Sequence, residues 1–160
     1  MAASTPAVAA LERAGVPFTQ HPYEHDPRHP SYGLEAAEAI GLDPQQVLKT
    51  LLAQVGDRLA VAVLPVSASL DLKALAAALG AKRASLARPQ DAERATGYVV
   101  GGISPLGQRT RLATVVDESA ARLDVVYVSG GRRGLDVGLA PADLVRLTGA
   151  TLAPIAAPAR

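Results

Sequence analysis

Three histidines, His21, His25 and His29, fall at i, i+4 and i+8 spacing. On a helix that spacing would align them for a metal, but Pro22, Pro27 and Pro30 break any such helix, so the segment reads as a polar loop. Two serines sit beside glycines. Ser104 follows Gly102 in the manner of a nucleophile elbow, yet position 106 is Leu106 and not glycine. Pro105 also removes the N–H that would build the oxyanion hole. Ser129 lacks the preceding glycine. A Ser–His–Asp triad drawing on the early histidines stays open, because a triad is defined by geometry and not by position in the chain. The chain has no cysteine, which removes disulfides, thiolate zinc sites, CxxC redox chemistry and a cysteine nucleophile.

Lysine is scarce, with Lys49, Lys73 and Lys82 standing against thirteen arginines. Lys73 and Lys82 suit solvated faces. Lys49 lies in Val47-Leu48-Lys49-Thr50-Leu51-Leu52, a strand-like run that is apolar on both faces. It is either an edge residue reaching water or a cation held in a pocket. Gly101 and Gly102 open a glycine-rich segment that ends near Gly107. Paired glycines let a ligand approach the backbone and leave N–H groups free for an oxyanion or phosphate; a tight barrel corner is the other reading. No phosphate-loop motif accompanies them, so nucleotide triphosphate hydrolysis has no support. A second loop, 129–134, carries Arg132 and Arg133, which with Arg109 and Arg111 form either a local basic rim or ordinary solvated charge.

These residues need a scaffold, and the punctuation of the chain predicts one. Thr5-Pro6 is a helix start, an N-cap hydroxyl followed by proline, with Gly15 as the stop. Residues 16–24 are extended and 25–31 form a proline-rich loop. A short helix over 34–40 closes at Gly41, and Asp43-Pro44 repeats the cap-plus-proline signal. A hairpin joins strands 47–55 and 59–64 through Gly56-Asp57. Asp71 caps a helix with Leu72, Leu75 and Leu79 on one face, ended by Gly80. A strand over 81–86, a helix over 89–95 and an extended 98–100 lead into the glycine loop. Strands 114–117, 125–129 and 135–139, a helix over 141–147 and a strand over 151–155 complete the order, and 156–160 are expected to fray. Strands joined partly by hairpins and partly across helices imply an α/β fold with a mixed sheet.

Length and composition limit the rest. At 160 residues the chain is one domain, 1–160, and 49% hydrophobic against 19% charged residues is a globular balance. The formal charge of +1 does not suggest a protein that grips nucleic acid by bulk electrostatics. Aromatics are 3%, too few for a stacking platform. The most apolar run, 59–66, is strand-sized and far short of the ~20 residues of a membrane span. With no basic n-region at the N-terminus, the expectation is a soluble cytoplasmic protein.

Taken in order, the segments carry a family resemblance. They are Thr5-Pro6-Ala7-Val8, Tyr23-Glu24-His25-Asp26-Pro27, Val47 with Lys49-Thr50-Leu51-Leu52, and Leu70-Asp71-Leu72-Lys73. They continue with Thr96-Gly97-Tyr98, then Val100-Gly101-Gly102-Ile103-Ser104-Pro105-Leu106-Gly107, and end with Tyr127-Val128-Ser129-Gly130-Gly131 and Arg133-Gly134-Leu135-Asp136. Over about 5–155 the chain resembles the YbaK/EbsC-type aminoacyl-tRNA deacylases, related to the editing domain of prolyl-tRNA synthetases. The resemblance implies a barrel-like mixed β-sheet surrounded by helices. It implies a pocket with Lys49, Gly101 and Gly102 as catalytic groups and Tyr23, Tyr32, Thr50, Ser129 and Asp136 around the substrate. Where this chain has Tyr32, relatives often carry phenylalanine. No metal and no cofactor are implied; the implied partners are aminoacyl-tRNA, through its 3′ end, and prolyl-tRNA synthetase. The implied activity is deacylation of Cys-tRNA(Pro), and also of Cys-tRNA(Cys), by attack of the substrate's own thiol. That agrees with the lack of a convincing protein nucleophile. A water-using deacylase for Ala-tRNA(Pro) or another small aminoacyl group, and a non-catalytic aminoacyl-tRNA or effector-binding module, are the competing readings.

Overall fold

A computed structural model describes residues 4–158. Helices α1 (Pro6–Ala14), α4 (Pro89–Thr96) and α5 (Pro141–Thr148) each begin on a proline. Its fixed φ suits the first turn, where its missing N–H costs nothing. Side chains cap two of the remaining helices. Ser31 Oγ accepts the Leu34 N–H at the start of α2 (Tyr32–Ile40), and Asp71 Oδ1 accepts the Ala74 N–H at the start of α3 (Leu72–Ala78).

Ten strands complete the described residues: β1 (Phe18–Pro22), β2 (Leu48–Val55), β3 (Arg58–Pro65), β4 (Ala68–Leu70), β5 (Ala84–Leu86), β6 (Ala113–Asp117), β7 (Val126–Arg132), β8 (Leu135–Leu139), β9 (Thr151–Ala153) and β10 (Ala156–Pro158). The main sheet has the order β5-β2-β3-β6-β9. β2 runs antiparallel to β3 and β5, while β3–β6 and β6–β9 are parallel, so the sheet is mixed. β3 is buried on both faces, and its period of two divides two cores. Val61 and Val63 pack with α1, β7 and β8, whereas Ala60, Ala62 and Leu64 pack with Leu75 and Ile155. That two-sided burial explains the uninterrupted apolar run at this position.

A second, antiparallel sheet has the order β1-β8-β7. Val126, Val128, Val137 and Leu139 point into the first core. The opposite face carries the register rows Thr19–Gly138–Tyr127 and His21–Asp136–Ser129. A parallel bridge between Val47 and Tyr127, with the Tyr127 N–H donating to Gln46 O at 2.9 Å, ties β7 to the start of β2. The two sheets thereby join in the barrel-like arrangement that the resemblance implies.

Several boundaries differ from the expectations. Residues 98–100 form no strand: Tyr98 is buried and its hydroxyl donates to Leu106 O at 2.6 Å, so the segment holds the glycine loop instead. β7 continues through Gly130-Gly131 to Arg132 with a bulge, which shortens the expected loop to a turn. Asp43-Pro44 opens a turn and no helix, Asp43 Oδ1 accepting the Gln45 N–H. β5 is half the expected length. A 3-10 turn at Glu118–Arg122 went unforeseen. The expected fraying at 156–160 gives way to β10, which pairs with β4; the last two positions lie outside the described residues.

Candidate active site

β3 pairs with β2 along its whole length, but β5 covers the other edge only at Ala53, Gln54 and Val55. Beside residues 48–51 no strand continues, and a cavity of about 410 Å³ takes its place. An open strand edge presents side chains of both faces together with backbone polar groups. Leu48, Lys49, Thr50 and Leu51 accordingly all line one space, although alternate residues face different cores. The remaining walls come from Tyr23, from Ser31 and Tyr32 at the start of α2, from Leu86 and Ala92, from Gly101 and Ile103, and from Ser129 and Asp136.

Close backbone approach closes these walls. A Cβ on Gly33 would lie 2.4 Å from Val66 Cγ1, so α2 reaches the end of β3 only because that residue is glycine. Gly101 has φ +91°, and a Cβ there would meet the Tyr32 ring at 2.7 Å. A Cβ on Gly102 would meet the Arg132–Arg133 backbone at 2.8 Å. The two glycine-rich segments singled out in the sequence therefore cross one another. The Arg133 guanidinium locks the crossing with hydrogen bonds to Val100 O at 2.9 and 2.6 Å, and it lies 5.2 Å from the Tyr32 ring centroid.

Lys49 is half-buried, and its Nζ donates to Ala68 O at 2.6 Å. No carboxylate pairs with it among the described residues, and burial lowers its pKa. An ammonium has three donors; one is spent on Ala68, which leaves the others for a ligand. Thr50 Oγ1 is buried without a hydrogen-bond partner. An orphaned hydroxyl costs ~1–3 kcal/mol, which a substrate atom in the cavity would recover. Asp136 is 5% exposed, and burial pushes its pKa up to about 7. Tyr23 is also raised, by burial first and then by the neighbouring Asp136 charge.

Seven expected site residues thus converge: Tyr23, Tyr32, Lys49, Thr50, Gly101, Ser129 and Asp136. Gly102 does not join them. Its N–H donates to Val99 O at 2.9 Å, so its part is close packing, whereas the Gly101 N–H has no partner among the described residues. The expected basic rim also divides. Arg132 and Arg133 belong to the crossing beside the cavity. Arg109 packs on Gly97 and Arg111 on Gly149, at the C-terminal ends of α4 and α5, and neither lines the cavity.

Neither Ser104 nor Ser129 is hydrogen-bonded to a base among the described residues. Ser104 is fully buried, its Oγ accepting the Leu106 N–H. Ser129 Oγ accepts the Gly131 N–H. His21 shares a row with Asp136 and Ser129, but its Nε2 lies 2.7 Å from Thr19 Oγ1 and its ring stands edge-on to Tyr127. His25 pairs with Glu35 at 2.7 Å and His29 with Glu38 at 3.1 Å, so the three rings go to separate partners. Glu35, which also accepts the Asp26 N–H, went unread in the sequence. Burial alone would raise its pKa, but the bonds from His25 and Asp26 prevail and hold it low. Leu86, Ala92 and Ile103 were missed as well, since apolar wall residues carry no chemical signature.

The Asp136 environment has a measurable consequence. Its carboxyl keeps a proton to higher pH in the folded chain than in the unfolded one. The folded state therefore loses stability as pH rises from about 4 to about 7, by on the order of 4 kcal/mol, and no further above that. Asp136→Asn removes this cost. Its gain in Tm over wild type should grow between pH 4 and pH 7 and then level off. Thermal melts showing a pH-independent difference, or a loss at pH 8, would contradict the assignment.

A family profile described as the aminoacyl-tRNA editing domain matches residues 30–147. A protein of Enterococcus faecalis, provisionally named Cys-tRNA(Pro)/Cys-tRNA(Cys) deacylase EbsC, is 35% identical over 153 residues, covering 94% of this chain and 92% of its own. The multifunctional Ser/Thr-tRNA deacylase ProXp-y of Escherichia coli is 34% identical over 88 residues, 54% of this chain and 53% of that one. Among solved structures, a provisionally assigned trans-editing enzyme for prolyl-tRNA synthetase matches with a TM-score of 0.82 at 25% identity, over 98% of this chain and 99% of the other. The hypothetical protein APE2540 matches with a TM-score of 0.83 at 25% identity, over 95% and 99%. The profile takes in the open edge of β2, the glycine crossing, Ser129 and Asp136, and the chain belongs to the aminoacyl-tRNA editing domain family as a deacylase of the YbaK/EbsC type.

Proposed function

We propose that this deacylase acts in trans on Cys-tRNA, with Cys-tRNA(Pro) as its main substrate and Cys-tRNA(Cys) as a further one, and that the cysteinyl thiol is the nucleophile. The observation that carries the reading is a cavity with a free cation, an unpaired N–H and an orphaned hydroxyl, in which no protein hydroxyl is hydrogen-bonded to a base. The thiol sulfur bonds to its own ester carbonyl carbon. The bond from that carbon to the ribose oxygen breaks, and the thiol proton ends on the released tRNA hydroxyl. The product is a cyclic thioester, which water then opens to free cysteine. Proximity supplies the rate, because intramolecular attack carries an effective molarity of roughly 10⁵–10⁸ M when well oriented.

In this reading the Gly101 N–H stabilises the developing oxyanion and Lys49 holds a polar substrate group. Asp136 and Tyr23 orient the α-amino end. Tyr32 and Thr50 shape the side-chain end, and Ser129 lines the wall between them. Arg132 and Arg133 approach the 3′-terminal phosphates. With a charge of only +1, the chain needs tRNA selection from elsewhere, and prolyl-tRNA synthetase is the partner this reading implies. A tRNA substrate makes the cytoplasm its compartment.

A water-using deacylase for small hydroxylated or methyl side chains is a second reading. It is favoured by the Escherichia coli relative and by Thr50 Oγ1, which can pair with a substrate hydroxyl as well as with a thiol. One assay separates the two. Cys-tRNA should be deacylated far faster than Ser-tRNA or Ala-tRNA, although serine is nearly isosteric with cysteine and alanine is smaller, since a pocket rejects smaller groups only weakly. Equal turnover of the three esters would favour water attack.

The cation has its own test. Lys49→Ala removes a charge-assisted contact and should lower single-turnover deacylation by roughly two to three decades in a folded protein. Near wild-type turnover would take Lys49 out of the reaction.

A further inference from the structure

The group that holds Lys49 is a backbone carbonyl, that of Ala68 on the three-residue strand β4. So short a strand has little hold of its own. β4 lies against β10, with Ala68 opposite Pro158, Ser69 opposite Ala157 and Leu70 opposite Ala156. Pro158 has no N–H to give, which leaves the Ala68 carbonyl to the lysine. β10 is short as well, and a buried carboxylate fixes it. Asp117 Oδ1 accepts the N–H groups of Ile155 and Ala156, both at 3.0 Å. Asp117 Oδ2 accepts the N–H of Ser119 at 3.2 Å and its hydroxyl at 2.5 Å. Asp117 is 5% exposed and Ile155 is fully buried. The Ile155 carbonyl in turn accepts the Asp71 N–H at 2.8 Å, which holds the other end of β4. Ala68, Asp117, Ser119 and Pro158 border one open cavity of about 490 Å³, distinct from the substrate cavity.

We infer that Asp117 is a positioning residue for Lys49, acting through β10, β4 and the Ala68 carbonyl. Four donors converge on this carboxylate and no cation neutralises it among the described residues, an arrangement suited to fixing backbone geometry. Loss of the clamp frees β10 and then β4, so that the ammonium loses its fixed acceptor and its place beside the substrate. A displacement of ~1 Å at such a group can cost on the order of a hundredfold in rate without weakening substrate capture.

The inference rests on the role proposed for Lys49, and the test separates the two. The chain has three lysines, so ¹³Cε-lysine NMR resolves Lys49 once Lys73→Arg and Lys82→Arg assign the others. In Asp117→Asn, Lys49 should titrate closer to an ordinary lysine than in wild type. Its kcat should fall about tenfold to a hundredfold with KM changed less than about twofold. A chain ending at Ile155, which lacks β10 and the two residues after it, should behave likewise. Ser119→Ala, which removes one donor from the clamp, should move the Lys49 titration in the same direction by less. Unchanged Lys49 titration in the folded variants would overturn the inference even if Lys49→Ala is inactive. A shifted titration with unchanged kcat would instead uphold the clamp and overturn the catalytic part of Lys49.

Discussion

A lysine ammonium with no carboxylate paired to it among the described residues is the constraint around which the site is built. Lys49 lies on β2, whose neighbour β5 ends opposite Ala53, four residues away, and it lines the cavity that takes the place of a continued sheet. A buried charge is expensive unless its donors are satisfied. One donor goes to the Ala68 carbonyl, and no other partner takes the remaining two among the described residues. The absence of an acidic partner keeps the charge available to a ligand; a carboxylate at the same distance would have neutralised it.

The remaining walls solve a problem of access. In the proposed reading an ester at the end of a tRNA brings its carbonyl close to the Gly101 N–H, and side chains would obstruct such approach. Gly101, Gly102 and Gly33 are placed where a Cβ would strike a tyrosine ring, a crossing backbone or a valine. Their contacts pull α2, the glycine loop and the β7–β8 turn onto one another. Arg133 bridges the last two through the Val100 carbonyl. Asp136 faces the cavity because its strand alternates: Val137 and Leu139 take the core side, leaving Asp136 and Gly138 on the other. A carboxyl buried there costs stability, as residues of functional sites commonly do.

Much of this was readable from residue types. Lys49 stood out as a charge in a run apolar on both faces, and the paired glycines as a backbone left open. Hairpin and capping signals placed most elements, because turns and helix starts are local. What was hidden depends on distant partners. Gly102 reads like Gly101, yet a carbonyl three residues back takes its N–H. Arg109 and Arg111 look like a rim in the sequence and pack instead beside helix ends. β10 looked like a fraying tail because Ala156-Ala157-Pro158 has no strand propensity; a buried aspartate nearly forty residues earlier holds it. Glu35 was invisible because nothing local tells a buried glutamate from a solvated one.

The central claim is that the cavity orients and polarises an aminoacyl ester without lending it a protein nucleophile. Ser104 is sealed in the core, Ser129 is bonded to a backbone N–H, and His21 is turned to Thr19. Intact-protein mass spectrometry of rapidly quenched single turnovers with Cys-tRNA and Ser-tRNA tests this directly. The account predicts an unmodified protein at every time point while free amino acid appears. An aminoacyl adduct that forms and decays at a competent rate, mapped to Ser129 or any other side chain, would contradict it.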